Sequence, residues 1–386
     1  MLLLSETQQQ IYKHIKAAAK ELAPIAQQIE STPAFPQQAK EIFARHGLFT
    51  LAMPPEFGGP GADATCLALM VETIASLSPS AALLVFPTNA VLRTIVLTGT
   101  EEQKRRLLGE LASGDKLMAF CLTEPDHGSD AAGLRTTARR EGDYYVVSGT
   151  KSYITLGPHA HYYLTFVRTG PKPQAGGITA LLIPRDAPGL SFGPPEKKMG
   201  LHGSVTAQMY MDGVRVPVEN RLWAEGEGWA VLTRVANPMR VWGAAAMALG
   251  VSQGVLARCL ELCEQGQARA MHEQDVAFAL AEMKIRIEAV RSLIYRVCAL
   301  LDSGACPFRE LESLVSAAKC FAADTAMAVA DMAAAVAGPV MARAGEILGL
   351  MMCAAKGIQI FDGTNQIQRL IVARNLARAL AEDKEG

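Results

Sequence analysis

At 386 residues, half of them apolar, the chain is longer than one hydrophobic core usually serves, so two or three globular domains are expected. Its formal net charge is −1 with no block of like charge, which leaves no footprint for nucleic acid and no polybasic patch for a membrane surface. The opening MLLLSETQQQ lacks a basic segment and a long apolar run, so a cytoplasmic protein is expected; the eight cysteines, with no C-x-x-C among them, read as reduced core thiols.

From 5 to about 114 the pattern is helical. TQQQIYKHIKAAAKELAPIAQQI and PQQAKEIFARHGLF carry apolar residues three and four apart, with Gly47 as a stop signal. PPEFGGPGAD (54–63) is a Pro/Gly loop, and TEEQKRRLLGELASGD (100–115) is a helix opened by a Thr cap and closed by Gly. From about 117 the period changes to two: DYYVVSG, KSYITLG, HYYLTFVRTG, ITALLIPRD and AQMYMDGVRVP are short runs rich in Tyr, Val, Ile and Thr, which suggest a small antiparallel barrel or sandwich. Helices resume near 226. VWGAAAMALGVSQGVLARCL (241–260) reads as a buried core helix rather than a membrane span, and Val276, Leu280, Met283, Ile287, Val290 and Ile294 mark the seam of a bundle helix. The fold class is α+β in three parts: a helical domain over 1–116, a β domain over 117–222 and a helical bundle over 223–386.

No G-x-G-x-x-G lies between a strand and a helix, and P-loop, H-E-x-x-H and G-x-S-x-G motifs are absent. His159 and His161 have no third ligand nearby, so no metal site is expected. His127 and His202 are candidates for polar contacts with a ligand, weighed against solvated loop positions. In IFDGTNQIQRLIV (360–372), Asp362 stands at the mouth of a helix. It has two readings: an N-cap, or a base held in an apolar pocket with its ionisation biased by Arg369 about two helical turns on.

The stretch AFCLTEPDHGSDAAGLRTTARREGDYYVVSGTKSYITLG (119–157) resembles the flavin segment of the acyl-CoA dehydrogenase family, T-E-P-x-x-G-S-D followed by K-x-W-I-T. The matching residues are Thr123, Glu124, Pro125, Gly128, Ser129 and Asp130, then Lys151, Tyr153, Ile154 and Thr155. The resemblance continues through KKMGLHGSVTAQMYMDGVRVPVEN, PPEFGGPG and FDGTNQIQRLIVAR, and so covers nearly the whole chain. It implies an N-terminal helical domain, a middle β-barrel domain, a C-terminal four-helix bundle and FAD as cofactor. Leu122 and Thr123 would meet the flavin's pyrimidine edge and Tyr153 and Thr155 its carbonyl edge and N5. Gly128 and Ser129 would approach the diphosphate, with Thr364 and Gln366 also on the cofactor side. A flat apolar ring with hydrogen-bonding edges and a diphosphate asks for such hydroxyls and small-residue amides.

By the same resemblance Asp362 aligns with the glutamate that takes the α proton of an acyl thioester, one methylene shorter. Its backbone amide would donate to the thioester carbonyl, and Arg240 would face the same pocket. Some relatives carry their glutamate just before that arginine, where this chain has Met239. Other departures lie in EQGQARAMHEQ (264–274) and AAVAGPVM (334–341), where the family holds the adenosine diphosphate of a neighbouring subunit's FAD, and at Cys353 and Ala354. Gly266 falls where an arginine is expected, Ala337, Pro339 and Val340 alter a glycine-rich approach, and Arg269 is a substitute cation. The expected activity is formation of a 2,3 double bond in a thioester of CoA or acyl carrier protein. Electrons would pass to an electron-transferring flavoprotein, and the protein would be a homo-oligomer, dimer or tetramer. The alternatives are an oxidase resembling nitroalkane oxidases, which use an aspartate here, and a weakly catalytic subunit of a hetero-oligomer.

Overall fold

The computed structural model describes residues 3–170, 176–343 and 345–385. Met1 and Leu2 of the opening stretch lie outside them. The first part contains α1 (Glu6–Leu22), α2 (Ala26–Ser31), α3 (Gln37–Arg45), α4 (Ala64–Ala75), α5 (Pro79–Thr98) and α6 (Glu101–Leu111). Their starts follow from side-chain chemistry. Ser5 with Gln8 and Thr100 with Gln103 form reciprocal capping boxes, while the Asp63 and Ser78 side chains accept from Cys66 and Ala81 amides. Helices α4 and α5 are buried on nearly all sides. The Thr88 and Thr94 hydroxyls of α5 therefore satisfy themselves on the carbonyls of Leu84 and Ala90, one turn back.

The second part is one mixed sheet. Its strands are β1 (Met118–Cys121), β2 (Thr137–Glu141), β3 (Tyr144–Thr155), β4 (Tyr162–Arg168), β5 (Ile178–Pro184), β6 (Leu190–Phe192), β7 (Thr206–Pro217) and β8 (Arg221–Leu222). The spatial order is β6-β7-β3-β2-β4-β5-β8, with β1 parallel to β4. The sheet is open rather than the closed barrel expected: β6 and β8 are its ends, and three- and two-residue strands are too short to ladder together around the far side. DYYVVSG and KSYITLG also prove to be one strand, β3. Gly149 carries it through at φ 149°, where a Cβ would lie 2.7 Å from Thr136 Oγ1. Register shifts against β7 fall between Val147 and Gly149 and again between Lys151 and Ile154. The second bulge places Tyr153 in the left-handed region at φ 56° and turns its ring outward, 66% exposed.

The third part begins with α7 (Gly228–Ala230), which continues through widened turns at Val231–Ala236 and Val241–Ala245 into α8 (Ala246–Glu264). Pro238 sits between those turns. It has no amide hydrogen to give and its ring crowds the preceding turn, so the helix widens next to Met239 and Arg240. Then follow α9 (Gln274–Ser303), α10 (Phe308–Ala337), α11 (Ile347–Ile360) and α12 (Asn365–Glu385). The six seam residues of α9 are all buried, and α10 packs against α8, α9, α11 and α12 as the central helix. Residues 241–252 are buried throughout. Among the described residues, Pro79–Thr98, Gly228–Glu264 and Phe308–Ala342 are long and apolar enough to cross a membrane by length and composition alone. Their most apolar windows are 67%, 72% and 44% buried inside the protein, so most of the first two faces other helices and strands.

Helix α5 joins the parts. Its Thr88 hydroxyl accepts the Met118 amide at the start of β1 at 3.2 Å, and its Phe86 ring packs edge-on against Trp242 at 5.4 Å. Glu72 of α4 pairs with Arg291 of α9 at 2.6 Å and accepts from Tyr295.

Candidate active site

The candidate residues gather in two constellations, one on the sheet and one on the bundle. On the sheet, the loop after β1 folds back on itself, with Glu124 and His127 exchanging backbone hydrogen bonds of 3.1 and 3.2 Å. The Glu124 carboxylate accepts from the amides of Arg135 and Thr136 at 2.6 and 2.9 Å and from Lys151 Nζ at 2.9 Å. Lys151, fully buried, also donates to the Leu122 carbonyl at 3.1 Å, and the Ser152 amide donates to the Thr123 carbonyl at 2.8 Å. Burial alone would push the Glu124 carboxyl up, but the Lys151 ammonium and the hydrogen bonds from Thr136 and Arg135 outweigh it and hold the group below its ordinary value. The ion pair thus locks the Leu122–Thr123 backbone onto the bulge that presents Tyr153. Neither Glu124 nor Lys151 was assigned a role from the sequence; a Lys inside the apolar strand KSYIT was the signal that it is buried with a partner.

Around this lock stand groups suited to a flavin. Leu122, Thr123 and Thr155 are half-buried, while Gly128, Ser129 and Tyr153 are exposed. Ser152 Oγ and both ring nitrogens of His127 are buried without a hydrogen-bond partner, the nearest carboxylate oxygen, of Asp130, lying 3.7 Å from His127 Nδ1. Orphaned buried polar atoms beside exposed hydroxyls and an aromatic ring fit a cofactor with polar edges and a flat apolar body.

The second constellation surrounds the turn between α11 and α12. Thr364, not Asp362, is the cap of α12: its hydroxyl accepts the Ile367 amide at 3.2 Å. Asp362 sits outside the helix at φ 55°, followed by Gly363 at φ 83°. Arg240 Nε donates to the Asp362 backbone carbonyl at 2.7 Å and lies 3.8 Å from Oδ1. The Asp362 side chain keeps 29% exposure, yet its Oδ2 is covered and has no hydrogen-bond partner. Burial raises the carboxyl above its ordinary value, opposed first by the charge of Arg240 and then by that of Lys319.

Arg369 is not among the groups acting on Asp362. It lies on the second turn of α12 and pairs outward with Asp324 of α10 at 2.6 Å, 58% exposed. Its place on the second turn of the helix carries it past Asp362, and the Asp324 carboxylate holds it. The cation that sequence reasoning missed is Lys319, fully buried on α10, donating to the Gly363 carbonyl at 2.8 Å and to Asn365 Oδ1 at 3.1 Å. Burial pushes its ammonium down to about 8, with Asp362 opposing the shift. Its signal was a lysine on the buried stripe of the Ala-rich helix SAAKCFAADTAMAVA. Gln366 is exposed, and Met239 is buried at the position where some relatives carry a glutamate.

The other sequence candidates hold the structure together. His159 stacks on Phe35 at 4.1 Å, His161 Nδ1 accepts the Leu117 amide at 3.1 Å, and His202 bridges the carbonyls of Glu30 and Lys198. Among the described residues no group of three or more metal-ligating side chains converges. The two departing segments meet at one end of the bundle, where the Arg269 amide donates to the Val336 carbonyl at 3.3 Å. The Arg269 guanidinium is engaged by Glu273 and Asp275 at 2.6 and 2.7 Å, so the substitute cation already has two carboxylates of its own chain.

Family models for the acyl-CoA dehydrogenase N-terminal, middle and C-terminal domains match residues 5–115, 119–214 and 226–377. The chain belongs to the acyl-CoA dehydrogenase family, whose members are flavin-dependent oxidoreductases. It is 36% identical to an acyl-CoA dehydrogenase of Bacillus subtilis, over 93% of this chain and 94% of that one. It is 35% identical to cyclohexane-1-carbonyl-CoA dehydrogenase of Geobacter metallireducens, over 99% and 100%. Butyryl-CoA dehydrogenase from Megasphaera elsdenii superposes with a TM-score of 0.91 at 31% identity, covering 98% of this chain and all of that one. A chain solved in work on the electron transferring flavoprotein of Acidaminococcus fermentans gives the same TM-score at 32% identity and the same coverage.

Proposed function

We propose that this FAD-dependent acyl-CoA dehydrogenase forms a 2,3 double bond in an acyl-CoA, with Asp362 as the base that takes the α proton. The observation that carries the reading is the Asp362 carboxylate itself: covered at Oδ2, unpaired there, raised by burial and kept ionisable by Arg240. A structural aspartate in such surroundings would be expected to cap or pair, and Thr364 already caps the helix.

Leu122, Thr123, Tyr153 and Thr155 would hold the flavin ring, and Gly128 and Ser129 the diphosphate. FAD, when bound there, supplies the two-electron acceptor for the β hydrogen, which leaves as hydride. Asp362 takes the α proton, and the electron pair left behind becomes the new carbon–carbon double bond. Asp362 and Gly363 form a left-handed turn, and its backbone amides would receive the charge that grows on the thioester carbonyl. Electrons then leave to an electron-transferring flavoprotein. A cytoplasmic homo-oligomer completes the proposal, with the exposed Leu370, Leu376 and Leu380 of α12 as apolar surface for a second copy to cover.

The test is anaerobic mixing of purified protein with a panel of acyl-CoA thioesters while flavin absorbance is followed. Asp362→Asn keeps the shape and removes the proton acceptor. It should retain thioester binding while flavin bleaching slows by about 10²–10⁴-fold. Bleaching at the native rate in that variant would overturn the assignment.

A further inference from the structure

Lys319 is the feature of the bundle that the proposed reaction does not yet use. Burying an ammonium is costly unless its charge and its hydrogens are engaged, and a lysine at 0% exposure in an Ala-rich helix is otherwise a poor choice. Its two hydrogen-bond acceptors are both in the turn that carries Asp362: the Gly363 carbonyl and the Asn365 side-chain oxygen. Asn365 in turn donates to Asp324 Oδ1 at 2.7 Å and to the Cys320 carbonyl at 3.2 Å, so α10 grips the turn from residues one helical turn apart. Arg240 grips the other side through the Asp362 carbonyl. A non-glycine residue in the left-handed region followed by Gly363 is a conformation that surroundings must impose.

We propose that Lys319 is a positioning residue for Asp362: its ammonium clamps the left-handed turn through Gly363 and Asn365 and adds a second positive charge there beside Arg240. This rests on Asp362 being the base. The charged and titratable groups facing the pair are Arg240 from the widened helix, Glu312, Cys320 and Asp324 from α10, and Arg369 from α12, which is spent on Asp324. Glu312 acts on Arg240 and is itself paired with Arg374 at 3.2 Å, and among the described residues the cations acting on Asp362 are Arg240 and Lys319. Because the charge of Lys319 opposes the upward shift of Asp362, its removal must raise that group further.

The experiment uses the FAD-loaded protein and compares Lys319→Gln, which keeps a donor without charge, Lys319→Met, an apolar chain of similar length, and Lys319→Arg, which keeps the charge. The rate of flavin reduction by an excess of a reactive acyl-CoA is recorded against pH, together with FAD content and the melting temperature. The acid limb of the profile should move up by about one pH unit or more in the Gln and Met variants and stay within a few tenths of the native position in the Arg variant. A folded Gln or Met variant whose acid limb does not move would overturn the proposal. So would failure of both to fold with FAD, since Lys319 would then be structural alone. Asp362→Asn run in parallel separates the two failures: if it reduces flavin normally the base assignment falls, whereas if it is inactive and the Lys319 profile is unmoved, only the positioning role falls.

Discussion

Arg240 Nε binds the backbone carbonyl of Asp362 at 2.7 Å but stays 3.8 Å from its carboxylate. The guanidinium holds Asp362 by its main chain, and the carboxylate Oδ2 is left without a hydrogen-bond partner. A bidentate pair with the carboxylate would satisfy both oxygens and hold the acid well below its ordinary range, which would leave it a weak base.

Arg240→Met therefore removes both the clamp and the largest influence opposing the rise of Asp362. The rate of flavin reduction should fall by about 10²-fold from misplacement of the base, and its acid limb should move to higher pH. Arg240→Lys should keep the limb near its native position while losing rate, because the charge stays and the planar fork is lost. Rapid-mixing pH profiles distinguish the two.

Asp362→Glu moves the carboxylate outward by one methylene. With Arg240 and Lys319 fixing the turn, that displacement should reduce turnover by up to about 10²-fold. A faster Glu variant would show that the chain runs on a base shorter than its pocket requires.

The raised carboxyl also has a stability signature. Its folded value lies above the unfolded value, so its favourable contribution is present below the unfolded value and is lost as pH rises through the folded one. Asparagine does not titrate. The melting temperature of Asp362→Asn relative to native protein should thus become more favourable as pH rises above about 4, as scanning calorimetry over that range would record.

Glu124→Gln leaves the fully buried Lys151 without its carboxylate. The expected loss is about 3–5 kcal/mol of stability, with flavin released as the Leu122–Thr123 backbone comes free of β3. Flavin content per chain and chemical denaturation measure the two effects.

Arg369→Ala tests the opposite expectation. Its pair with Asp324 is largely exposed, so removal should cost about 0–1 kcal/mol and leave the acid limb of flavin reduction where it is.

Local chemistry made much of this legible before any coordinates. The Thr100 cap acts over three residues, the α9 seam repeats with helical period, and the motif around Thr123 and Thr155 brought the family into view; each is a short-range pattern that a linear chain displays. Asp362 and Arg240 could be named for the same reason. Which cation faces Asp362 could not be read this way. Arg369 is seven residues from it and Lys319 is 43 residues back, yet the packing of α10 against α12 puts Lys319 at the turn and hands Arg369 to Asp324. The openness of the sheet was equally hidden, since strand runs carry period and length but not which edges pair. The sequence by itself determined the helical and strand periods and the family, and it pointed to Asp362; the tertiary structure alone decided which charges meet across helices, because those contacts are set by side-chain burial between distant segments and have no period along the chain.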